Sequence, residues 1–186
     1  PCMYYGEEIG MTDLPQPFST ALDPIPHKFK SIPRFIFDLL GLLINRDEVR
    51  TPMQWDGTKN AGFSSAEKTW LPVHRNYSET NVEKESVEDD SLLNIIRSLI
   101  NIRDREIPLQ KGSLELLSGL PNGVLGYKRK SENKNLVVLL NFEGRKQEFQ
   151  LEFSECVFKL SSEDNAKEKA IQLNGFGGII ISVANV

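Results

Sequence analysis

The chain is poor in the residues that build metal centres and disulfide frameworks. Its 186 residues hold two cysteines and two histidines. Cys2 and Cys156 lie far apart, and neither joins His27 or His74 in a ligand-like cluster. No metal site and no cofactor is therefore expected. So few cysteines exclude a secreted disulfide scaffold and favour a reducing, cytoplasmic setting. A basic excess is also missing. The 22 Lys and Arg are outnumbered by 26 Asp and Glu, for a net charge of -4. That balance argues against nucleic acid or an anionic membrane as partner. Long hydrophobic runs are absent too. The most apolar stretch, 32–44, has roughly 13 residues against the ~20 that span a bilayer. Arg34 and Asp38 interrupt it, and a buried or half-buried helix is expected there instead.

What remains is a globular composition, 39% hydrophobic and 26% charged, enough apolar material for a packed core. The chain opens at Pro1 inside an apolar, strand-like run ending at Tyr5, with no initiator Met. The expectation is a C-terminal piece of a longer protein. Residues 1–85 are otherwise rich in turn formers: Pro15, Pro17, Pro24, Pro26, Pro33, Pro52, Pro72, Asp56-Gly57 and Asn60-Ala61-Gly62. They also carry Trp55, Phe63, Trp70 and Tyr77, which a disordered segment seldom does. A long ordered loop that forms part of a site is expected.

Leu92, Leu93, Ile95, Ile96, Leu99, Ile100 and Ile102 recur at helical spacing and predict a helix over about 90–105. Asp89 or Asp90 would cap it and Pro108 would end it. Beyond Pro108 come short β-rich runs: 114–117, 124–130, 136–142, 148–153, 157–160, 170–173 and 178–183. Leu136–Leu140 is continuously apolar, as in a strand covered on both faces, whereas Phe149, Leu151 and Phe153 alternate with polar residues. Pro121-Asn122-Gly123 and Glu143-Gly144-Arg145 read as hairpin turns, and Ser161–Lys169 as a polar loop. Two domains are expected, 1–107 ending in the long helix and 108–186 as an antiparallel β-sandwich.

Four ordered stretches carry a family resemblance. They are Tyr4-Tyr5-Gly6-Glu7-Glu8-Ile9-Gly10-Met11, Arg46-Asp47-Glu48-Val49-Arg50-Thr51-Pro52-Met53-Gln54-Trp55-Asp56, Asn60-Ala61-Gly62-Phe63-Ser64, and Trp70-Leu71-Pro72-Val73 with Asn76-Tyr77 and Asn81-Val82-Glu83. Together they resemble the oligo-1,6-glucosidase, maltase and trehalose-synthase branch of glycoside hydrolase family 13, the α-amylase superfamily. The resemblance implies an α/β plus all-β architecture: the C-terminal end of a (β/α)8 TIM barrel followed by a small β-sandwich. Cys2–Tyr5 would be the eighth barrel strand. The loop after it would sit on the C-terminal rim, where such barrels hold their active sites.

The same resemblance implies hydrolysis of terminal α-glucosidic bonds with retained configuration, by two carboxyl groups about 5–5.5 Å apart. In the family these acids lie on strands that would precede Pro1, so no catalytic residue is assigned and the isolated chain is expected to be inactive. Arg46 matches a family arginine that reaches the terminal glucose, paired with an aspartate from the barrel's first loop. Asp23, before Pro24, falls near a position where some relatives contact the second sugar; its plain alternative is a turn-initiating aspartate. Glu8, and Glu7 beside it, are expected to brace the loop through backbone hydrogen bonds, and Arg50 to be structural. Trp55, Phe63 and Trp70 are expected to pack under the loop, with stacking on sugar faces as the alternative. His27 and His74 read as solvated loop residues. The partners implied are an α-glucoside oligosaccharide and the N-terminal barrel segment. Two other functions stand beside hydrolysis: a transglycosylase such as trehalose synthase, and a non-catalytic scaffold like the heavy chains of amino-acid transporters.

Overall fold

A computed structural model describes residues 2–184. The chain divides into two compact units, 1–96 and 97–186, and the division falls inside the longest helix.

The first unit is built mostly from short helical turns joined by extended segments. Residues 2–5, expected as a strand, form no β-ladder with any described residue and are exposed. A strand exists only through its neighbours' hydrogen bonds, and the described chain supplies none here. Pro1, which opens that run, lies outside the described residues. Gly6 follows at φ 90°, and a Cβ there would meet Met11 Sδ at 2.7 Å. Only glycine fits this turn into the 3-10 turn Glu7–Ile9. Ile9 is then buried with Met53 and Leu93, and Met11 and Val82 pack against them.

Helix α1 (Pro24–His27) is capped by Asp23, whose Oδ1 accepts from Ile25 N at 3.1 Å. Helix α2 (Arg34–Leu39) is shorter and more exposed than its apolar sequence predicts. It ends because Gly41 takes a left-handed φ of 64° and Leu42 N turns back to Phe37 O. Only Phe37 is buried, between the rings of Phe18 and Phe29. Phe35, Leu39, Leu40, Leu42 and Leu43 stay exposed. Helix α3 (Val82–Val87) is capped by Asn81, and α4 spans Leu92–Arg105. Ser91, not Asp89 or Asp90, caps α4: its Oγ accepts from Asn94 N at 3.2 Å. A serine hydroxyl sits close to the helix axis and reaches the third amide without a longer arm.

In the second unit α4 ends at Arg105. Pro108 lies in the first turn of a further helix, α5 (Ile107–Lys111), where its missing N–H costs nothing. Among the described residues eight strands follow: β1 (Ser113–Leu116), β2 (Val124–Lys130), β3 (Asn135–Asn141), β4 (Gln147–Gln150), β5 (Glu155–Lys159), β6 (Asn165–Lys167), β7 (Ala170–Leu173) and β8 (Gly178–Val183). They form two antiparallel sheets, ordered β1-β2-β3-β8-β5 and β4-β7-β6. Strand β3 alternates sides, as its continuous apolar run predicts. Val137 and Leu139 join Ile171, Leu173, Ile179 and Ile181 in one core. Leu136 and Val138 join Ile180 in another, with Leu99, Ile102 and Leu109 of the helices.

Three local expectations change. Strand β4 stops at Gln150, because its partner begins at Ala170; Leu151 and Phe153 reach the core from beyond the strand. Glu143–Arg145 joins strands of different sheets and so makes no hairpin. The polar segment 161–169 contains β6, which pairs with β7.

Candidate functional site

The segment 45–50 turns its charges in opposite directions. A 3-10 turn over Arg46–Val49 starts at Asn45, whose Oδ1 accepts from Asp47 N at 3.2 Å. Asp47 and Glu48 are buried, while Arg46 and Arg50 face out. Asp47 Oδ2 accepts from Leu22 N at 2.6 Å and Asp23 N at 3.0 Å. Glu48 is gripped by Arg34, Nη1 to Oε1 at 2.5 Å and Nη2 to Oε2 at 2.8 Å, and also accepts from Gln16 N. These buried acids tie residues 14–34 to the turn that presents Arg46.

Arg46 is held by Asp23. Its Nε donates to Oδ2 at 2.6 Å and its Nη2 to Oδ1 at 2.9 Å. The Arg46 side chain is 47% exposed and that of Asp23 0%. Asp23 also accepts from the amides of Ile25 and Arg46, so both its oxygens are doubly engaged. The guanidinium, with these amides, holds the carboxyl far below the usual carboxylate range, against the opposing effect of burial. Among the described residues nothing engages Arg46 Nη1. The site therefore offers a fixed, half-exposed guanidinium with one nitrogen free.

The other singled-out residues lie elsewhere in the unit. Glu7 accepts from Tyr4 N at 3.1 Å and Glu8 from Gly6 N at 2.8 Å. Glu8 and Arg50 help line a cleft of about 480 Å³ that neither Arg46 nor Asp23 borders. Tyr5, Trp55, Phe63 and Trp70 form much of its wall. Burial raises the Tyr5 hydroxyl's pKa, and that hydroxyl donates to Thr51 O at 2.9 Å. Trp55, Phe63 and Trp70 are 50%, 52% and 85% exposed, so they are not packed beneath the loop as the sequence suggests. In the loop between Trp55 and Phe63, Asn60 and Ala61 take left-handed φ of 57° and 55°, and Ala61 O accepts from Trp55 N and Asp56 N. It is the methyl of Ala61, fully buried, that fills the loop's interior.

His27 Nε2 donates to Ala21 O at 2.7 Å, and His74 Nδ1 accepts from Asn76 N at 3.2 Å; both serve loop structure. Among the described residues no group of His, Cys, Asp or Glu could hold a metal ion, and no helix is long and apolar enough to cross a membrane. Sequence reasoning passed over Arg34 and Glu48. The signal was there, in a lone cation followed by Asp38 inside an apolar run and a glutamate in the Arg46–Arg50 motif.

A family model described as the α-amylase catalytic domain matches residues 1–112, and the chain belongs to that family. Similar curated proteins include the salivary alpha-glucosidase of Aedes aegypti, 42% identical over 141 residues, covering 75% of this chain and 23% of that one. Another is the probable oligo-1,6-glucosidase 2 of Bacillus subtilis, 33% identical over 168 residues, covering 81% and 28%. Among solved structures, the isomaltulose synthase SmuA from Protaminobacter rubrum matches with a TM-score of 0.82 at 28% identity, over 97% of this chain and 35% of that one. The trehalulose synthase MutB from Pseudomonas mesoacidophila matches with 0.81 at 28% identity, over 96% and 34%. The chain thus spans about a quarter of the length of these curated relatives and about a third of these solved chains.

Proposed function

We propose that this chain is the C-terminal part of a retaining α-glucosidase that releases terminal α-linked glucose from oligosaccharides. On this proposal residues 1–107 close a TIM barrel and 108–186 form the β-sandwich domain after it. The observation that carries the reading is the half-exposed guanidinium of Arg46, anchored on buried Asp23 with Nη1 free, inside a segment matched by the α-amylase catalytic domain. A guanidinium fixed in this way can donate to a sugar hydroxyl without losing much side-chain freedom on binding. Asp23 acts on the sugar through Arg46. The family resemblance implies that the two reacting carboxylates lie on barrel strands that would precede Pro1, and the burial of Asp23, Asp47 and Glu48 on protein donors supports structural parts for these three. The two free thiols fit a cytoplasmic setting.

The test is an assay of the whole protein that contains this chain, on a nitrophenyl α-glucoside and on isomaltose, with the anomer of the released glucose followed by NMR. Turnover with retention is expected, and no turnover of any α-glucoside would refute it. The likeness to trehalulose and isomaltulose synthases supports a second reading, transfer of glucose to another sugar. Incubation with sucrose separates the two: isomerised disaccharide as main product marks transfer, and free glucose marks hydrolysis.

A further inference from the structure

Two consecutive residues hold Asp23 from opposite ends. Arg46 grips its carboxylate. Asp47 grips its backbone, where Oδ2 accepts from Asp23 N at 3.0 Å and from Leu22 N at 2.6 Å. The 3-10 turn Arg46–Val49 makes this possible. With three residues per turn, neighbouring side chains diverge by about 120°. Arg46 therefore leaves toward solvent while Asp47, 5% exposed, turns inward.

Residue 23 needs both holds. Pro24 restricts the residue before it to extended backbone, and Asp23 has φ -64° and ψ 125°. No helix or strand includes Leu22 or Asp23, so no ladder supplies an acceptor for their amides. An amide buried without an acceptor is costly, and so is a carboxylate buried without donors. Asp47 and the two amides satisfy each other. Asn45, fully buried, fixes the other side of this contact, its Oδ1 accepting from Asp47 N at 3.2 Å.

Arg46 keeps its direction only while Asp23 keeps its place. Its Nε and Nη2 both end on the Asp23 carboxylate. A fork of two parallel hydrogen bonds copies any rotation of the carboxylate into the guanidinium plane. We infer that Asp47 is a positioning residue for Arg46: through the amides of Leu22 and Asp23 it sets where the Asp23 carboxylate stands, and so where the free Nη1 points. That Nη1 meets a sugar rests on the function proposed above. The alignment of the guanidinium does not.

Asp47→Ala removes the acceptor, whereas Asp47→Asn keeps a side-chain oxygen for both amides. Reaction of Arg46 with phenylglyoxal in the whole protein that contains this chain, followed by peptide mass spectrometry, reads the hold directly. Asp47→Ala should speed that reaction about tenfold, and Asp47→Asn should stay within about twofold of the parent. Arg34, held on Glu48, should react at the parent rate in both. Kinetics on isomaltose reads the consequence. Asp47→Ala should lower kcat/KM about tenfold in the parent and leave it unchanged in an Arg46→Ala background, since residues acting in series do not add. A merely structural residue would lower it by the same factor in both. Should Asp47→Ala not fold, Asp47→Ser, whose hydroxyl is too short to reach both amides, is read in the same way. An unchanged rate at Arg46, equal acceleration at Arg46 and Arg34, or losses that multiply with Arg46→Ala would overturn the role of Asp47. A faster Arg46 in a protein that turns over no α-glucoside would keep the positioning and discard the proposed activity. Turnover with an Arg46 indifferent to Asp47 would do the reverse.

Discussion

Arg46 closes on Asp23 with two hydrogen bonds, of 2.6 and 2.9 Å, and the carboxylate it closes on also caps helix α1. One aspartate thus fixes both the start of a helix and the direction of a guanidinium. Its pKa is depressed in the folded state, so the unfolded state binds the proton more readily. Its contribution is complete above the unfolded value of about 4 and declines as the pH falls toward the depressed folded value. Asp23→Asn should lower the thermal midpoint at neutral pH. The gap to the parent chain should shrink as the pH is lowered below about 4. Melting curves across that range check the sign; a gap that widens in acid would contradict it.

The second buried carboxylate makes a sharper mutational test. Glu48 is 2% exposed and depends on Arg34, which joins it to Gln16 O as well. Arg34→Ala should destabilise the first unit by about 2 kcal/mol. That is less than the ~3–5 kcal/mol for removing a partner from a wholly buried pair, because Arg34 keeps access to solvent. Urea denaturation of the variant, followed by tryptophan emission, reads this unit because both tryptophans lie in it.

The hairpin between β6 and β7 turns through Glu168 and Lys169, with Lys167 opposite Ala170. Glu168 has φ 60°, a conformation that two-residue hairpins normally reserve for glycine or asparagine. Glu168→Gly should raise stability by about 1 kcal/mol, since the side chain is exposed and only the backbone strain changes. A melting temperature at or below that of the parent would show that Glu168 makes a compensating contact.

This turn also explains a limit of the sequence. Strand β6 was illegible because its hairpin carries neither Asn-Gly nor Asp-Gly, and polar residues surround it. Strands β2, β7 and β8 were legible to the residue, since β-rich runs bounded by turns define them. The long helix was legible from its 3.6-residue period, but its cap was not, because Ser91, Asp89 and Asp90 all have capping side chains and only geometry chooses between them. In the first unit the sequence marked Arg46 and Asp23 separately. No periodicity links residues 23 apart in an irregular loop, so their pairing emerges only in three dimensions. The exposure of Trp55, Phe63 and Trp70 was equally hidden, because aromatic residues carry the same composition signal whether they fill a core or line a cleft.

In the second unit Ile181 is fully buried, opposite Val137 on one strand and Cys156 on the other. Ile181→Ala should cost about 2–5 kcal/mol through lost burial and the cavity left behind. Circular dichroism against urea measures it, and a loss below about 1 kcal/mol would mean that the surrounding side chains collapse into the space.

The most direct test of the proposed function is the ratio kcat/KM of the whole protein on isomaltose with Arg46 intact and with Arg46→Ala. The expected result is measurable turnover for the first and a loss of about a hundredfold or more for the second, the scale of a charge-assisted contact to the sugar at the reacting end. Equal kcat/KM for the two proteins would contradict a role for this guanidinium in holding glucose.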